Sequence, residues 1–302
     1  MDKRSWVEVS FFLPGEQAES VAEILDRYAH QGVVIERDMQ SSDKNHMKVF
    51  AYLLDDDTLE QNKLEIEKAI FYLGKILPVP APTYRPIRDQ DWMAAWRQFY
   101  KPVTVGEKLI IIPAWYDGKK SSDTRTRIPI RINPGMAFGT GTHPTTQLSL
   151  ELLEHHLQPG QTMIDVGCGS GILSIAGILL GATHSVAVDV SQAAVLSTHE
   201  NNALNKVEEK IEVAKASVSE IKAGKFAYQK APLVVANILL KVLEDLFDIG
   251  LGELVDKNGH LLISGILVDQ IGTIEEKARA NGFTRSESIL QDDWAGIAFT
   301  KI

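Results

Sequence analysis

The chain has 302 residues, of which 44% are hydrophobic and 24% are charged, and this composition excludes disordered and fibrous classes. At roughly 100–200 residues per domain, the length favours two domains. The formal net charge of −9 disfavours a broad nucleic-acid-binding face, which depends on clustered Lys and Arg. The single cysteine, Cys168, excludes an intramolecular disulfide and fits a reducing compartment. No apolar stretch is long enough to cross a bilayer and the start lacks a secretory signal, so we expect a cytoplasmic protein without membrane contact.

The negative charge is concentrated in the first quarter of the chain. Residues 1–77 hold nine Lys and Arg against fifteen Asp and Glu, a net charge of −6, and the remainder of the chain carries −3. Acidic surfaces often serve solubility alone. The alternative is that this segment binds a basic partner.

Residues 1–77 show the pattern of a small α+β domain. Strands are predicted at 6–11, 33–35 and 49–54, and helices at 17–30 and after Asp57 and Thr58. The order strand, helix, strand, strand, helix predicts a ferredoxin-like fold. Because such modules carry many functions, the fold alone says nothing about activity.

Closely spaced prolines follow this segment: Pro78, Pro80, Pro82 and Pro86. They favour extended geometry and predict a semi-rigid spacer, so we place a domain boundary here. Residues 78–132 are assigned to this linker and to connecting strands at 109–115 and 128–132. The aromatic residues between 91 and 100 lie at helical spacing, which is more typical of packing than of a ligand cage.

From about residue 161 the pattern changes to alternating strands and helices. Strands are predicted at 162–166, 185–190, 211–214, 233–237, 259–264 and 296–301, and helices at 172–180, 192–205, 240–254 and 269–280. This alternation predicts an α/β domain whose mostly parallel sheet is covered on both faces. In such sheets ligands bind at the carboxyl ends of the strands.

The first of these strands ends in a glycine-rich turn, DVGCGSG at 165–171, which a helix follows. Gly167 and Gly169 allow a tight turn and a close approach of ligand to backbone, and the helix start offers free N–H groups. Ile172 stands where a dinucleotide fingerprint has its third glycine. The carboxylate of Asp165 would repel a pyrophosphate and attract an ammonium or sulfonium group. The turn therefore favours a zwitterionic ligand with an adenosyl part over a nicotinamide cofactor.

The second strand ends in Asp189, 22 residues after Gly167. A carboxylate at this place can accept hydrogen bonds from both hydroxyls of a ribose. The alternative is an N-cap for the next helix. The glycine turn and this acid together indicate a ligand site more strongly than either does alone.

The stretch from Asp165 to Asp189 resembles the S-adenosylmethionine site of the class I (Rossmann-like) methyltransferases. The segment NPGMAFGTGTHPTT, from Asn133 to Thr146, is similar to the loop typical of the PrmA family, and VANIL at 235–239 is similar to its fourth-strand motif. The resemblance covers essentially the whole chain. It implies an S-adenosylmethionine-dependent methyltransferase domain at 133–302 and a substrate-recognition domain at 1–77.

By that resemblance, Thr146, Gly167, Asp189 and Asn237 are cofactor-binding residues, with Gly169 in the same turn. Taken alone, Thr146 would be interpreted as a helix N-cap. The resemblance implies methyl transfer from S-adenosylmethionine to lysine ε-amines and the N-terminal amine of a basic ribosomal protein. The acidic charge balance argues against direct recognition of nucleic acid. A methyltransferase that acts on nucleic acid or a small molecule would share the cofactor site and stays the alternative.

Asn237 is the predicted catalytic residue. A lysine with a pKa near 10.4 costs roughly 4.6 kcal/mol to present as a neutral amine at pH 7, and a neighbouring carboxylate would increase that cost. A neutral amide oxygen can orient the amine without this penalty, so we expect an acceptor and not a strong base. His143 has no carboxylate, cysteine or second histidine at metal spacing nearby. We therefore predict a hydrogen-bonding role for it and no metal site.

Overall fold

The computed structural model describes residues 6–29, 33–38, 41, 43, 45–75, 78–87, 101–116, 126–133 and 139–302. The chain divides into two compact units, Met1–Tyr100 and Lys101–Ile302. The predicted aromatic helix at 91–100 lies outside the described residues, as does the 134–138 part of the loop. No helix in the described ranges is long and apolar enough to span a membrane.

The first unit has the strand and helix order of a ferredoxin-like fold. Its elements are β1 (Trp6–Pro14), α1 (Ala18–Asp26), β2 (Val33–Arg37), β3 (His46–Leu54), α2 (Leu59–Leu73) and β4 (Thr83–Ile87). The sheet runs β2-β3-β1-β4 with every neighbouring pair antiparallel, which confirms the predicted fold. Because β4 contains Pro86 and pairs with β1, the end of the proline-rich segment forms an edge strand of this sheet. The compact unit therefore extends past residue 77, to Tyr100.

Alternating side chains in β1 explain how the first unit packs. The odd-numbered residues from Val7 to Leu13 are buried with Leu25 of α1 and Ile66 of α2. On the opposite face Glu8 is buried beside Lys48, with 3.3 Å between Oε1 and Nζ. The two helices therefore cover the face that carries the odd-numbered residues, as the period of two in a strand requires.

The second unit begins with a small sheet and continues into a larger one. The small sheet contains β5 (Val103–Val105), β6 (Leu109–Pro113) and β7 (Ile128–Ile132). The larger sheet contains β8 (Thr162–Val166), β9 (His184–Asp189), β10 (Ile211–Lys215), β11 (Ala231–Asn237), β12 (Val255–Leu267), β13 (Phe283–Gln291) and β14 (Trp294–Lys301). The helices are α3 (Pro144–His156), α4 (Ile172–Leu179), α5 (Gln192–Asn205), α6 (Val218–Lys222), α7 (Leu240–Asp248) and α8 (Ile271–Ala280).

The large sheet has the order β10-β9-β8-β11-β12-β14-β13. Its first five strands are parallel, and β14 is antiparallel to both of its neighbours. Side chains on both faces are buried, with Met163 of β8 in one cluster and its neighbour Ile164 in the other. This confirms the predicted α/β domain. The strand order reverses between β8 and β11, where ligands bind in sheets of this kind.

Several elements of the second unit differ from the prediction, and β5 and α6 are among those that were not predicted. The helix predicted over 240–254 ends at Asp248, because Gly250 adopts a φ of 107° and a left-handed glycine terminates a helix. The edge strand β13 was not predicted, since its sequence FTRSESILQ is polar and largely exposed. Edge strands commonly carry such side chains, which remove the apolar pattern.

Candidate functional site

A cavity of about 490 Å³ opens at the carboxyl ends of β8, β9 and β11. Four of the five predicted site residues line it: Gly167, Gly169, Asp189 and Asn237. Its volume is within the range of small-molecule sites. The structure therefore brings together residues that lie up to 70 positions apart in the sequence.

The glycine turn after β8 has positive φ values, which residues with a side chain disfavour. Gly167, Gly169 and Gly171 have φ values of 75°, 55° and 80°. A Cβ built on Gly167 would lie 2.7 Å from Cδ1 of Ile238. Glycine therefore satisfies both the left-handed backbone and the close packing at this position.

Asp189 supports the turn with one end of its carboxylate. Its Oδ2 accepts a hydrogen bond from the Gly169 N–H at 3.0 Å, and its Oδ1 accepts one from the Ser191 N–H at 2.9 Å. Ser191 itself caps α5, so Asp189 is not the N-cap of that helix. A carboxylate has about four lone-pair positions, which leaves acceptor capacity for ribose hydroxyls.

Asn237 ends β11, and its amide oxygen is buried. The residue lines the cavity, and no residue in the described part of the chain donates a hydrogen bond to its Oδ1. A buried polar atom left unpaired costs about 1–3 kcal/mol. This oxygen is therefore positioned to accept a hydrogen bond from a bound ligand.

Gly265 of β12 supports the segment that follows Asn237. The Ile238 N–H donates to the Ser264 carbonyl at 3.0 Å. Gly265 has a φ of 84°, and a Cβ there would lie 2.7 Å from the Ile238 carbonyl oxygen. Gly265 was not predicted as a site residue. A glycine inside an apolar strand is a sign of close backbone approach and could have indicated it.

Thr146 lies in the first turn of α3, but it does not line the cavity. The N-cap of α3 is His143, so the alternative interpretation of Thr146 as a cap does not hold. Thr146 is fully buried, and its Oγ1 has no hydrogen-bond partner in the ranges that the structure describes. Its neighbour Thr145 lines the cavity. The role of Thr146 as a cofactor contact stays a prediction.

His143 shapes one wall of the cavity. Its Nδ1 accepts from the Thr145 N–H at 3.3 Å and lies 2.8 Å from the Thr145 hydroxyl. Its ring meets Trp294 edge-on, with 5.0 Å between ring centroids, and both residues line the cavity. Burial lowers the pKa of His143 below 6.5, which favours the neutral ring at pH 7. The predicted hydrogen-bonding role fits this geometry. Trp294 was missed because it lies far away in the sequence.

Asp165 takes a position that corrects the sequence interpretation. It is fully buried and does not line the cavity. Its Oδ2 accepts from the N–H and the hydroxyl of Ser174 in α4, at 3.1 and 2.8 Å. Burial raises the pKa of Asp165 to about 7. Side chains alternate along β8, and this one faces α4 with Met163. It therefore anchors α4 and does not contact the cavity directly.

Cys168 is held inside the glycine turn. It is buried, and its Sγ lies 3.4 Å from the hydroxyl of Thr198. Burial raises the pKa of this thiol, so the reactive thiolate is disfavoured. Cys168 therefore contributes packing to the turn.

The strand order of the large sheet and a glycine turn followed by an acid on the next strand define a class I methyltransferase. The family model for ribosomal protein L11 methyltransferase (PrmA) matches residues 5–302. The ribosomal protein L11 methyltransferase of Exiguobacterium sibiricum is 34% identical over 97% of this chain and 98% of its own length. That of Chloroflexus aurantiacus is 32% identical over 98% of both chains.

A solved structure supports the same assignment. The crystal structure of a ribosomal protein L11 methylase from Lactobacillus delbrueckii subsp. bulgaricus is 33% identical to this chain, with a TM-score of 0.59. The match covers 67% of this chain and all of that one. The chain belongs to the ribosomal protein L11 methyltransferase (PrmA) family, as the motifs around Asn133–Thr146 and Asn237 predicted.

Proposed function

We propose that this protein transfers methyl groups from S-adenosylmethionine to lysine ε-amines and the N-terminal amine of ribosomal protein L11. The observation that carries this proposal is the unpaired Oδ1 of Asn237 at the wall of the cavity. It offers a neutral acceptor where an amine would be oriented. The names of the relatives indicate the substrate. A cytoplasmic location follows from this substrate and stays a prediction.

The residues of the cavity fit S-adenosylmethionine. Asp189 has acceptor capacity left for ribose hydroxyls, and the turn at Gly167 and Gly169 leaves its backbone accessible. Apolar side chains such as Val190 and Ile238 supply contact area on the same lining. The cofactor supplies an activated methyl group on its sulfonium sulfur. We keep Thr146 as a proposed cofactor residue because of the family resemblance.

The lining also favours a neutral amine. Among the described residues that line the cavity, Asp189 is the only acid, and both of its oxygens already accept backbone hydrogen bonds. Leu239, Val242 and Leu246 add apolar surface, and an apolar environment lowers the pKa of a lysine. The enclosed amine therefore loses its proton more readily, and Asn237 Oδ1 can accept one of its remaining N–H groups and direct the lone pair.

Incubation of the enzyme with methyl-labelled S-adenosylmethionine and unmodified ribosomal proteins tests this function. We expect the label to enter a single protein, L11, because the site is built for amines and the chain is acidic. The control omits the enzyme. Label that enters only ribosomal RNA or a small molecule would contradict the proposal.

The acidic first unit is proposed to bind the basic substrate protein. Replacing the exposed residues Asp57 and Glu60 with Asn and Gln is expected to raise KM for L11 about threefold at low salt, because exposed charges contribute only modestly. The affinity for S-adenosylmethionine should not change. The matched control replaces the exposed pair Glu208 and Glu209 of the second unit with Gln. Equal effects of the two pairs on KM would show that the location of the charge does not matter, and would refute this role.

A further inference from the structure

One face of α5 carries polar side chains toward the glycine turn and β7. Thr198, Asn201 and Asn205 follow one another at intervals of three and four residues, which places them on the same side of a helix. The hydroxyl of Thr198 donates to the Gly169 carbonyl at 3.0 Å. The Oδ1 of Asn205 accepts a hydrogen bond from the N–H of Arg131 in β7 at 2.8 Å, and its Nδ2 donates one to the Arg131 carbonyl at 2.6 Å. Asn201 lies between these two contacts.

Asn201 joins two backbone segments that lie far apart in the sequence. Its Nδ2 donates to the Ser170 carbonyl in the glycine turn at 2.9 Å. Its Oδ1 accepts from the N–H of Asn133, just after β7, at 2.8 Å. The residue is completely buried, so water cannot replace either partner. An ionised aspartate could not donate to the Ser170 carbonyl, so the position requires an amide, which can donate one hydrogen bond and accept the other.

Ser170 adds a second connection from the same turn. Its hydroxyl donates to the Gly139 carbonyl at 2.7 Å and accepts from the Ile172 N–H at 3.3 Å. Gly139 lines the cavity. The backbone at Asn133 and the backbone at Gly139 are therefore both tied to the glycine turn, the first through Asn201 and the second through Ser170.

We propose that Asn201 is a positioning residue for the cofactor cavity. Acting with Ser170, it fixes the glycine turn against the backbone at Asn133 and Gly139 and so sets the shape of the pocket that receives S-adenosylmethionine. This inference rests on the proposed function for its ligand. Asn205 makes the same kind of bonds to β7 without contacting the glycine turn, so it holds α5 and β7 together and does not shape the pocket.

Asn201→Ala in the full-length protein tests the proposal. We expect the Kd for S-adenosylmethionine, measured by calorimetry, to rise about tenfold, because two buried hydrogen bonds are lost. The kcat at saturating cofactor should fall much less. In the cofactor-free protein, amide hydrogen exchange at Asn133 should become faster. Asn201→Asp keeps the acceptor for the Asn133 N–H, so it should preserve the slow exchange there while still weakening cofactor binding.

Asn205→Ala is the matched control for a purely structural effect. It should lower Tm about as much as Asn201→Ala while leaving the Kd for S-adenosylmethionine within about twofold. If both variants weaken cofactor binding equally, or if Asn201→Ala lowers only Tm, the positioning role is wrong. If Asn201→Ala does not fold, Asn201→Asp decides the question, because it removes the donor to the Ser170 carbonyl: weaker cofactor binding supports the proposal and unchanged binding overturns it. Failure of the wild-type enzyme to bind S-adenosylmethionine would instead refute the proposed function.

Discussion

Replacing Asn237 with alanine is expected to lower kcat about a hundredfold, which is the scale of losing the alignment of two reacting groups. The Kd for S-adenosylmethionine should rise less than about tenfold, because one neutral hydrogen bond contributes about 0.5–1.5 kcal/mol. The variant should fold, since the oxygen that it removes has no hydrogen-bond partner among the described residues. Steady-state kinetics with L11 and calorimetry with the cofactor measure the two quantities separately.

Asn237→Asp is the matched control, because it keeps the size of the side chain and adds a negative charge. A carboxylate beside the substrate amine stabilises the ammonium form. The activity of this variant should therefore need a higher pH than that of the wild-type enzyme. If Asn237→Ala kept its kcat, the acceptor role of Asn237 would be wrong whatever its effect on cofactor binding.

Gly265→Ala is expected to lower kcat by roughly tenfold to a hundredfold, since a misplacement of about 1 Å at a reacting group can cost a hundredfold. The added Cβ would lie 2.7–2.8 Å from the oxygen, carbon and nitrogen of the Ile238 backbone. That backbone must move, and Asn237 moves with it. Kinetics with L11, together with Tm, measure the effect on activity and on stability.

Gly282→Ala is the matched control, because it introduces the backbone strain of a left-handed alanine without the collision. Gly282 has a φ of 82°, close to the 84° of Gly265, but a Cβ there would have no atom within 4 Å. Gly282→Ala should therefore lower stability by about 1–2 kcal/mol, the cost of a left-handed alanine. Gly265→Ala should lower it further, because the collision with the Ile238 backbone adds to that cost. Only Gly265→Ala should lose activity. Equal kcat values for the two variants would show that Gly265 does not position Asn237.

The parts of the site that the sequence predicted are those that lie at strand ends. Parallel strands bring their carboxyl ends to one edge of a sheet, so Gly167, Gly169 and Asp189 could be grouped without knowing any contact. Asn237, which also ends a strand, was identified by the family resemblance. The α/β fold followed from the same alternation of strands and helices. The ferredoxin-like fold followed from the element order, although its last strand, β4, was assigned to the linker.

The parts that could not be predicted depend on contacts between distant segments. Trp294 and Gly265 reach the cavity through the pairing of β12 with β14 and the packing of β12 on the segment after β11. The bond from the Asn133 N–H to Asn201 spans 68 residues. Asp165 lies at the predicted strand end, but its side chain faces α4 and not the cavity. The sequence pattern does not say which face of β8 meets the cavity.

The measurement that tests the proposed function most directly is peptide mass spectrometry of purified L11 after incubation with the full-length enzyme and S-adenosylmethionine. We predict methyl groups on lysine side chains and on the N-terminal amine, and much less of both with the Asn237→Ala variant. Methyl groups on arginine, histidine or carboxylate side chains would contradict the proposed chemistry. An L11 that stays unmodified with active, cofactor-binding enzyme would contradict the proposed substrate.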